Sequence, residues 1–331
     1  MTPFLHVAKN WRDYALLDAG DGEKLERWGK VTVIRPDPQA FWPRSHKWQT
    51  PDMHYHRSKS GGGSWEILSK NIPDTWTIAY ENLKFRIRPT GFKHMGLFPE
   101  QAVNWTWMRD LLLKTQGDSP LADRHTPSPE IVRSTISKKS FFEEGLGETF
   151  FSKKVSPKVL NLFAYTGGAT VACLAAGAQV THVDAAKGMN NQARENVQLN
   201  RLEGAKILTD DVLKFVRREA RRGNKYDGII MDPPVFGRGP GGEMWRLEEG
   251  LFGLVEECAK LLSAEAIFFL INAYTAGFSP AAYGNVLKKA LKNRPGDVSV
   301  GEVGLEAQSG VLLPCGMFSR WTSSRLQFQA K

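Results

Sequence analysis

The chain has 331 residues, 41% hydrophobic and 24% charged, which indicates a folded globular protein of about two domains rather than a disordered chain. No apolar run approaches the roughly 18–20 residues of a membrane span and the N-terminus lacks a secretory signal, so we expect no membrane association. The three cysteines are far apart and form no CxxC pair, so we expect neither a disulfide framework nor a Cys-based zinc site, and a reducing, cytoplasmic location. The net charge of +9 favours a polyanionic partner such as nucleic acid.

The first 90 residues are predicted to form a β-rich accessory domain that contributes to substrate binding. Residues 31–34 are a short β-branched run, so we expect a strand there. Residues 75–79 and 84–88 flank a plausible turn and are predicted to form a hairpin, in which the apolar residues of the second arm face a core.

Residues 41–63 are predicted to form a loop in which aromatic residues are interleaved with basic ones. Such a composition can stack bases and follow a nucleic-acid backbone. The alternative is a loop folded onto its own aromatic side chains. His46, His54 and His56 lie in the same loop, but no further ligand is evident in the sequence, so we expect no metal site.

Residues 91–157 are predicted to link two domains. Pro99 is well placed at the first position of a helix that Gly117 would end. Four apolar side chains would share one face of that helix: Trp105, Met108, Leu111 and Leu112. The stretch after Gly117 has few signals, and we expect it to hold a functional loop or a further helix.

From residue 158 to the C-terminus, strand-like and helix-like segments alternate. The predicted strands are residues 159–163, 180–184, 207–209, 227–231 and 266–271, followed by 298–303 and 311–318. The predicted helices are residues 170–176, 189–199, 212–222, 245–262 and 280–293. Five β-α repeats in succession predict an α/β, Rossmann-like doubly wound domain with a mostly parallel sheet, whose ligands bind at the carboxyl ends of the strands.

Glycines and acids at three strand ends predict an adenosine pocket. Gly167-Gly168 allow a tight turn after the first strand, and the absence of GxGxxG argues against a dinucleotide. Asp184 could accept both ribose hydroxyl groups. In Asp210-Asp211, one carboxylate could accept from the adenine amino group while the other caps the helix beginning at Val212. Taken singly, each feature could instead be a compact turn or a helix cap.

Asp232-Pro233-Pro234, at the end of the fourth strand, is the sharpest signal. Two prolines remove two backbone donors and fix φ, so carbonyl groups would be left pointing into the cleft. Asp232 and the Pro233 carbonyl could then hold an amino group, and Phe236 could stack on a base. The alternative is a stiff strand-to-loop turn. The glycine-rich residues 237–242 are predicted to form a mobile lid.

The motifs described above also resemble those of a known family. The stretch after residue 158 is similar to class I S-adenosylmethionine-dependent methyltransferases. More narrowly, residues 160–168, 210–212 and 232–236 resemble the bacterial large-subunit (23S) ribosomal RNA base methyltransferases, which include a cytosine-C5 enzyme and a guanine-N7 domain. Residues 95–101 resemble that family's GLFLDQR-like segment, which helps close over the cofactor. The resemblance covers residues 91–107 and 158–280.

The resemblance implies S-adenosylmethionine as the cofactor. Its carboxypropyl part would lie against the loop at 163–170, its ribose on Asp184 and its adenine on Asp211, with the target base beside residues 232–236. The implied cofactor-binding residues are Phe98, Gln101, Phe163, Ala164, Tyr165, Thr166, Gly167, Thr170, Asp184, Ala185, Asp210, Asp211, Val212 and Asp232. The implied catalytic residues at the acceptor are Asp232, Pro233, Pro234, Phe236 and Asn272.

The cysteines distinguish two chemistries. The cytosine-C5 relatives carry a nucleophilic Cys just after the fifth strand, where this sequence has Asn272 and no Cys, and C5 methylation needs a covalent thiolate adduct. The guanine-N7 relatives have an Asn near this place, so we predict methylation at nitrogen. Cys173 and Cys258 are predicted core residues, and Cys315 is expected in a strand at the far edge of the sheet.

The sequence therefore predicts an S-adenosylmethionine-dependent methyltransferase acting on a nucleobase of RNA, with ribosomal RNA as the expected substrate. The basic helix at 212–222 could hold phosphates or could be a solvated outer face. The first 90 residues match the relatives' RNA-binding domain poorly. A protein or small-molecule methyltransferase, and a non-catalytic nucleic-acid-binding protein with the same fold, remain as alternatives.

Overall fold

A computed structural model describes residues 5–58, 62–91, 93–117, 156–238, 244–274 and 277–326. The functional loop or helix predicted after Gly117 falls almost entirely outside the described residues, as does the tip of the predicted lid. No helix in the described ranges has both the length and the apolar character needed to cross a membrane.

The N-terminal part contains a five-stranded sheet and a separate hairpin. Its strands are β1 (Leu5–Val7), β2 (Tyr14–Gly20), β3 (Glu23–Trp28), β4 (Val31–Pro36), β5 (Met53–Arg57), β6 (Gly63–Ile67), β7 (Trp76–Tyr80) and β8 (Leu83–Ile87). The sheet has the order β2-β3-β4-β5-β6, and β1 instead joins the large sheet of the C-terminal part. The strand predicted at 31–34 and the hairpin β7–β8 are confirmed.

The prediction of a continuous loop over residues 41–63 was wrong in its second half. Strand β5 lies there and pairs with β6, which begins at Gly63. In β5, Met53 and Tyr55 are buried, whereas His54 and His56 point to the opposite face. The sequence therefore alternates as a strand does, but its mixture of aromatic and basic residues hid the period of two.

The hairpin β7–β8 attaches to the C-terminal part through amide side chains. Asn196 Oδ1 accepts from the Arg86 backbone N–H at 2.8 Å. Asn200 both accepts from the Lys84 N–H and donates to its carbonyl, at 2.8 and 2.7 Å. These side chains occupy the backbone groups that an edge strand leaves without partners, and thereby fix β8 against the helix that carries them.

The C-terminal part is an α/β unit, as predicted. Its helices are α1 (Ala102–Thr115), α2 (Gly168–Ala175), α3 (Lys187–Leu199), α4 (Val212–Arg221), α5 (Leu247–Ala259) and α6 (Pro280–Ala290). Its strands are β9 (Lys158–Leu162), β10 (Gln179–Asp184), β11 (Ala205–Thr209), β12 (Gly228–Met231), β13 (Phe236–Arg238), β14 (Met244–Arg246), β15 (Phe268–Ala273), β16 (Gly296–Glu306) and β17 (Leu312–Ser323). A 3-10 turn, Pro99–Gln101, precedes α1.

The eight-stranded sheet has the order β1-β16-β17-β15-β12-β9-β10-β11. All neighbours are parallel except β17, which is antiparallel to both β15 and β16. From β9 the chain first adds β10 and β11 on one side and then crosses to β12 on the other. The strand order therefore reverses between β9 and β12, and this switch point is where such sheets bind ligands.

The expected position of Cys315 at the far edge of the sheet was wrong. Its strand, β17, lies inside the sheet next to β15, because β16 and β17 form a long hairpin and β1 covers the outer side of β16. A second correction concerns Trp245, which was predicted to start a helix. Trp245 lies in β14, whose pairing with β13 delays the start of α5 to Leu247.

Candidate active site

The loop after β9 has a left-handed backbone at three positions. Gly167 has φ +82°, and the non-glycine residues Phe163 and Tyr165 have φ +53° and +50°. Such conformations are strained for residues that carry a Cβ and tend to occur at functional sites. The loop ends at Gly167, the N-cap of α2. It turns the chain sharply and forms one wall of a cleft at the carboxyl end of the sheet.

The cleft has a free volume of about 450 Å³, part of which is open to solvent. Eight of the predicted site residues line it: Phe98, Gln101, Phe163, Ala164, Tyr165, Thr166, Asp232 and Asn272. The other predicted residues lie outside its wall: Gly167, Thr170, Asp184, Ala185, Asp210, Asp211, Val212, Pro233, Pro234 and Phe236. Thr170 is fully buried, and its hydroxyl bonds to Asn161 and His182 instead.

Asp184 is held at the end of β10 by two backbone donors. Its Oδ2 accepts from the Tyr165 N–H and its Oδ1 from the Ala186 N–H, both at 2.8 Å. Burial raises the pKa of this carboxyl group, and the two hydrogen bonds act against that rise. Each carboxylate oxygen retains a lone pair, so hydroxyl groups can still donate to this fixed acid.

The acids after β11 have different partners. Asp211 is the N-cap of α4 and accepts from the Lys214 N–H at 2.8 Å. Asp210 accepts from the Asp211 N–H at 2.9 Å and forms an ion pair with Arg218 at 2.5 Å. Asp211 therefore caps the helix through Oδ1, whereas both oxygens of Asp210 accept from protein groups.

Asp232 is half-buried, and its carboxylate has no hydrogen-bond donor among the described residues. Burial, with a smaller contribution from the charge of Glu100, raises its pKa to about 7. The Pro234 carbonyl accepts from Trp245 Nε1 at 2.7 Å, so one of its two acceptor positions is already used. The Pro233 carbonyl has no donor in the described part of the chain.

An apolar surface lies beside Asp232. Phe236, in β13, is 52% exposed, and Val235 and Met244 are also largely exposed. The Trp245 ring lies 5.9 Å from that of Phe163. The β13–β14 hairpin thus presents an aromatic side chain to solvent at the edge of the cleft.

The sequence analysis missed a buried acid next to these groups. Glu100, in the turn before α1, is only 4% exposed. It accepts a hydrogen bond from the Tyr274 hydroxyl, and burial raises its pKa. Glu100 lies in the segment resembling GLFLDQR, at the position of that motif's acid, so the signal was present in the sequence.

The sequence analysis also missed Arg320, which fixes the orientation of the side-chain amide groups in the cleft. Arg320 is buried on β17 and donates through Nε to Asn104 Oδ1 at 3.0 Å. Because an arginine can only donate, Asn104 must present its amide nitrogen to Gln101 Oε1 and Asn272 Oδ1, at 2.8 and 2.7 Å. Gln101 then donates to the Tyr274 hydroxyl at 2.7 Å.

This chain of bonds determines what Asn272 offers. Its carbonyl oxygen is occupied by Asn104, so its NH₂ group is the donor left for the cleft. Neither Asn104 nor Arg320 belongs to a local motif, and nothing in the sequence pattern pointed to them.

The arrangement fits a nucleoside linked to an amino acid. A strained loop stands at the switch point, a fixed carboxylate ends β10, and β12 is followed by an acid that receives no hydrogen bond from the residues described. A sequence profile described as S-adenosylmethionine-dependent methyltransferase matches residues 135–244.

Two solved structures are similar to this protein over nearly its whole chain. A SAM-dependent methyltransferase from Agrobacterium tumefaciens is 32% identical, with a TM-score of 0.81, over 97% of this chain and 94% of that one. A structure from Streptococcus mutans assigned to the same class has 14% identity and a TM-score of 0.64, over 95% of this chain and 76% of its own, and shows the same fold. The chain therefore belongs to the S-adenosylmethionine-dependent methyltransferases, and S-adenosylmethionine is its cofactor.

Curated relatives match a shorter segment. The chain is 48% identical over 82 residues to ribosomal RNA large subunit methyltransferase I of Salmonella arizonae, which is 24% of this chain and 20% of the relative. The protein of the same name from Escherichia coli O139:H28 is 46% identical, with 24% of this chain and 21% of the relative covered. The match spans about a fifth of the length of these relatives.

Proposed function

We propose that this methyltransferase acts on a nucleobase nitrogen of RNA, and that ribosomal RNA is the substrate class. The observation that carries the proposal is Asp232, an acid without a donor in the described part of the chain, with the exposed ring of Phe236 four residues later. An N–H group of a base could donate to this acid while the ring stacks on the base. The name of the curated relatives supports ribosomal RNA as the substrate class.

The hydrogen bonds that these acids make within the protein determine which of their lone pairs remain for the cofactor. Asp184 would accept the ribose hydroxyl groups through its remaining lone pairs, next to Ala185. Asp211, which caps α4 through Oδ1 next to Val212, would accept from the adenine amino group through Oδ2, while Asp210 is held by Arg218. The 163–170 loop would receive the amino-acid part, with Phe98 and Gln101 opposite. When bound, S-adenosylmethionine supplies a methyl group activated by its sulfonium.

The acceptor side would orient the base rather than activate it strongly. The ionised form of Asp232 would accept a hydrogen bond from the N–H of the target nitrogen and take up that proton as the nitrogen gains the methyl group, and the Pro233 carbonyl offers a second acceptor. The Asn272 NH₂ group donates to a carbonyl or ring nitrogen of the same base. Fixing the nitrogen lone pair along the transfer direction lowers the barrier mainly through positioning.

The cysteines support nitrogen over cytosine C5. Cys173 and Cys258 are fully buried, and burial raises the pKa of Cys173 to about 12. Cys315 lies nearer the cleft than expected, since its neighbour Gly316 packs against the Tyr274 ring. However, burial and the charge of Glu100 raise the pKa of Cys315 well above its usual value, which disfavours the thiolate that C5 chemistry needs.

The described surface suggests where RNA would bind. In the 41–63 segment, Trp42 donates to the Ala19 carbonyl and Trp48 to Asp18, both at 2.7 Å, so these aromatic side chains are used in packing, as the alternative interpretation expected. Helix α4 exposes Arg217 and Arg221 to solvent.

We propose that residues 1–90 act as the accessory domain, 91–157 as the link and 158–331 as the cofactor domain.

A transfer assay tests the proposal. Tritiated S-adenosylmethionine is incubated with the full chain and RNA, or protein extract, from cells that lack the gene. We expect label in RNA, absent with Asp232→Ala, and RNA binding whose log K falls with log salt by about 0.7 per phosphate contacted in a single strand. Label in protein or in small molecules alone would contradict the RNA substrate, while leaving the methyltransferase activity intact.

A further inference from the structure

The outer face of the five-stranded sheet carries a cluster of metal-binding side chains. His54 and His56 are two residues apart on β5, so their rings project from the same face. Glu66 lies on β6 directly opposite His54 in the strand register. The sequence showed no further ligand beside the two histidines, and the sheet supplies one from a strand ten residues later.

The donor atoms already lie close together. One ligand atom each from His54, His56 and Glu66 are all within 4.8 Å of one another. His56 Nε2 lies 2.7 Å from Glu66 Oε2, and the two imidazole ring centres are 4.1 Å apart. Around a tetrahedral zinc ion with bonds of about 2.0–2.1 Å, neighbouring donor atoms are roughly 3.3 Å apart, so small side-chain rotations would complete the site.

Glu23, on β3, orients the first histidine of the cluster. Its Oε1 lies 2.8 Å from His54 Nε2. Its other oxygen, Oε2, accepts from Arg44 Nη2 at 2.6 Å, and this contact holds the carboxylate in place. Glu23 therefore acts on His54 in the way that outer-shell partners orient metal ligands, and a water molecule would be the fourth ligand of a bound ion.

We propose that His54, His56 and Glu66 bind one divalent transition-metal ion, with zinc as the best match to two imidazoles and a carboxylate. His56 and Glu66 are each about half exposed, with 51% of each side chain accessible, so an ion can enter directly from solvent. None of these three residues lines the methyl-transfer cleft. The site therefore stands apart from the cofactor and acceptor residues.

Such an ion would hold the edge of the sheet together. Strand β6 is the edge strand, and β4 and β5 share only two register pairs, Val33↔Met53 and Ile34↔His54. A metal bound by residues of β5 and β6, with Glu23 of β3 bonded to the ligand His54, would strengthen this weak junction. We expect the bound ion to raise the unfolding temperature of the protein without changing its affinity for S-adenosylmethionine.

The test uses the full chain, freed of any affinity tag and treated with a chelator. Calorimetric titration with zinc chloride should give one ion per chain, and cobalt(II) should give the visible absorption of a four-coordinate site. His56→Ala and Glu66→Gln should each weaken zinc binding at least tenfold. His46→Ala, which changes an exposed histidine outside the cluster, is the matched control and should leave binding unchanged.

Three results would overturn the proposal: no stoichiometric zinc binding, zinc binding that His56→Ala does not weaken, and equal loss with His46→Ala. Exposed His56 and Glu66 are tolerant positions, and a thermal unfolding curve measured without metal verifies that each variant is folded. Because binding is read directly, this result is independent of whether RNA is the methyl acceptor.

Discussion

At the end of β10, both oxygens of Asp184 accept backbone N–H groups at 2.8 Å, whereas across the cleft the carboxylate of Asp232 has no donor among the described residues. The first acid is fixed before any ligand arrives. The second is half-buried and lacks partners, an arrangement that costs stability unless a ligand completes it. This contrast supports the proposed roles, in which the protein itself organises the cofactor side through Asp184 and leaves Asp232 for the substrate to satisfy.

The same contrast separates two measurable quantities. Changes on the Asp184 side should act on cofactor affinity, and changes on the Asp232 side should act on the transfer rate. Each prediction below would sharpen this division or break it.

The largest effect is expected for Asp232→Asn. Loss of the carboxylate should reduce kcat for methyl transfer by about 100-fold, within the range for a positioned proton acceptor, while the Kd for S-adenosylmethionine changes less than about threefold. Single-turnover transfer and calorimetry measure the two quantities. Abolished cofactor binding in a folded variant would show that Asp232 belongs to the cofactor side.

A stability measurement on the same variant provides an internal control. Since the pKa of Asp232 is raised in the folded protein, the folded state binds its proton more tightly than the unfolded state does, and stability is lost as pH rises from about 4 to about 7. Asp232→Asn should therefore raise the unfolding temperature, and by more at pH 8 than at pH 5. An equal shift at both values would contradict the raised pKa.

Asp184→Ala should have the next largest effect. Removing an acid that bonds the ribose should cost about 1.5–3 kcal/mol of cofactor affinity, roughly 10- to 150-fold in Kd. Asp210→Asn, which retains the size of the side chain, should cost less. The Kd for S-adenosylmethionine is measured by calorimetric titration. An unchanged Kd for Asp184→Ala in a folded protein would contradict the assignment of Asp184 to the cofactor side.

The pH dependence of transfer comes third. If the ionised form of Asp232 accepts from the target N–H, kcat should rise about tenfold between pH 6 and pH 8, around the pKa of about 7. Asp232→Asn should have a flat profile over the same range. A rate that falls with increasing pH would indicate that the protonated acid is the active form.

Arg320→Met should have a smaller effect, of about fivefold on kcat. Without the arginine, Asn104 is free to reverse its amide, and Asn272 then loses its enforced orientation as a donor. Arg320→Lys retains a donor and should recover part of the rate. A loss of rate that Arg320→Lys does not relieve, or a change in cofactor Kd instead, would show that Arg320 supports only the fold.

The smallest effect is expected for Cys315→Ala. Because a raised pKa keeps this thiol protonated, its removal should leave the transfer rate within about twofold. Incubation with RNA containing 5-fluorocytosine should likewise give no covalent adduct. Loss of transfer in Cys315→Ala with cofactor binding unchanged would restore the cytosine-C5 chemistry.

The difference between the two sides also explains which features of the cleft could be predicted from the sequence. The proposed cofactor side consists of local strand-to-helix segments, so the strand and helix ends that carry Gly167, Asp184 and Asp211 could be predicted from spacing alone. The acceptor side depends on contacts between distant segments. Asn104 and Arg320 are 216 residues apart, and only the antiparallel insertion of β17 beside β15 brings them together.

The remaining differences have a similar cause. The prediction that Cys315 is remote failed because strand order in a sheet does not follow chain order. Strand β5 was missed because its exposed face carries histidines rather than the expected small polar residues. The bounds of β9, β10 and α3 were predicted closely, since each has a clear apolar period and ends near a glycine or an acid.

The most direct test of the central claim is nucleoside mass spectrometry of ribosomal RNA from cells with and without the gene. We predict that one N-methylated nucleoside disappears from large-subunit RNA in the deletion strain, and that the wild-type chain restores it whereas Asp232→Asn does not. Loss of 5-methylcytidine instead, or an RNA modification profile that is identical in the two strains, would contradict methyl transfer to a nucleobase nitrogen of ribosomal RNA.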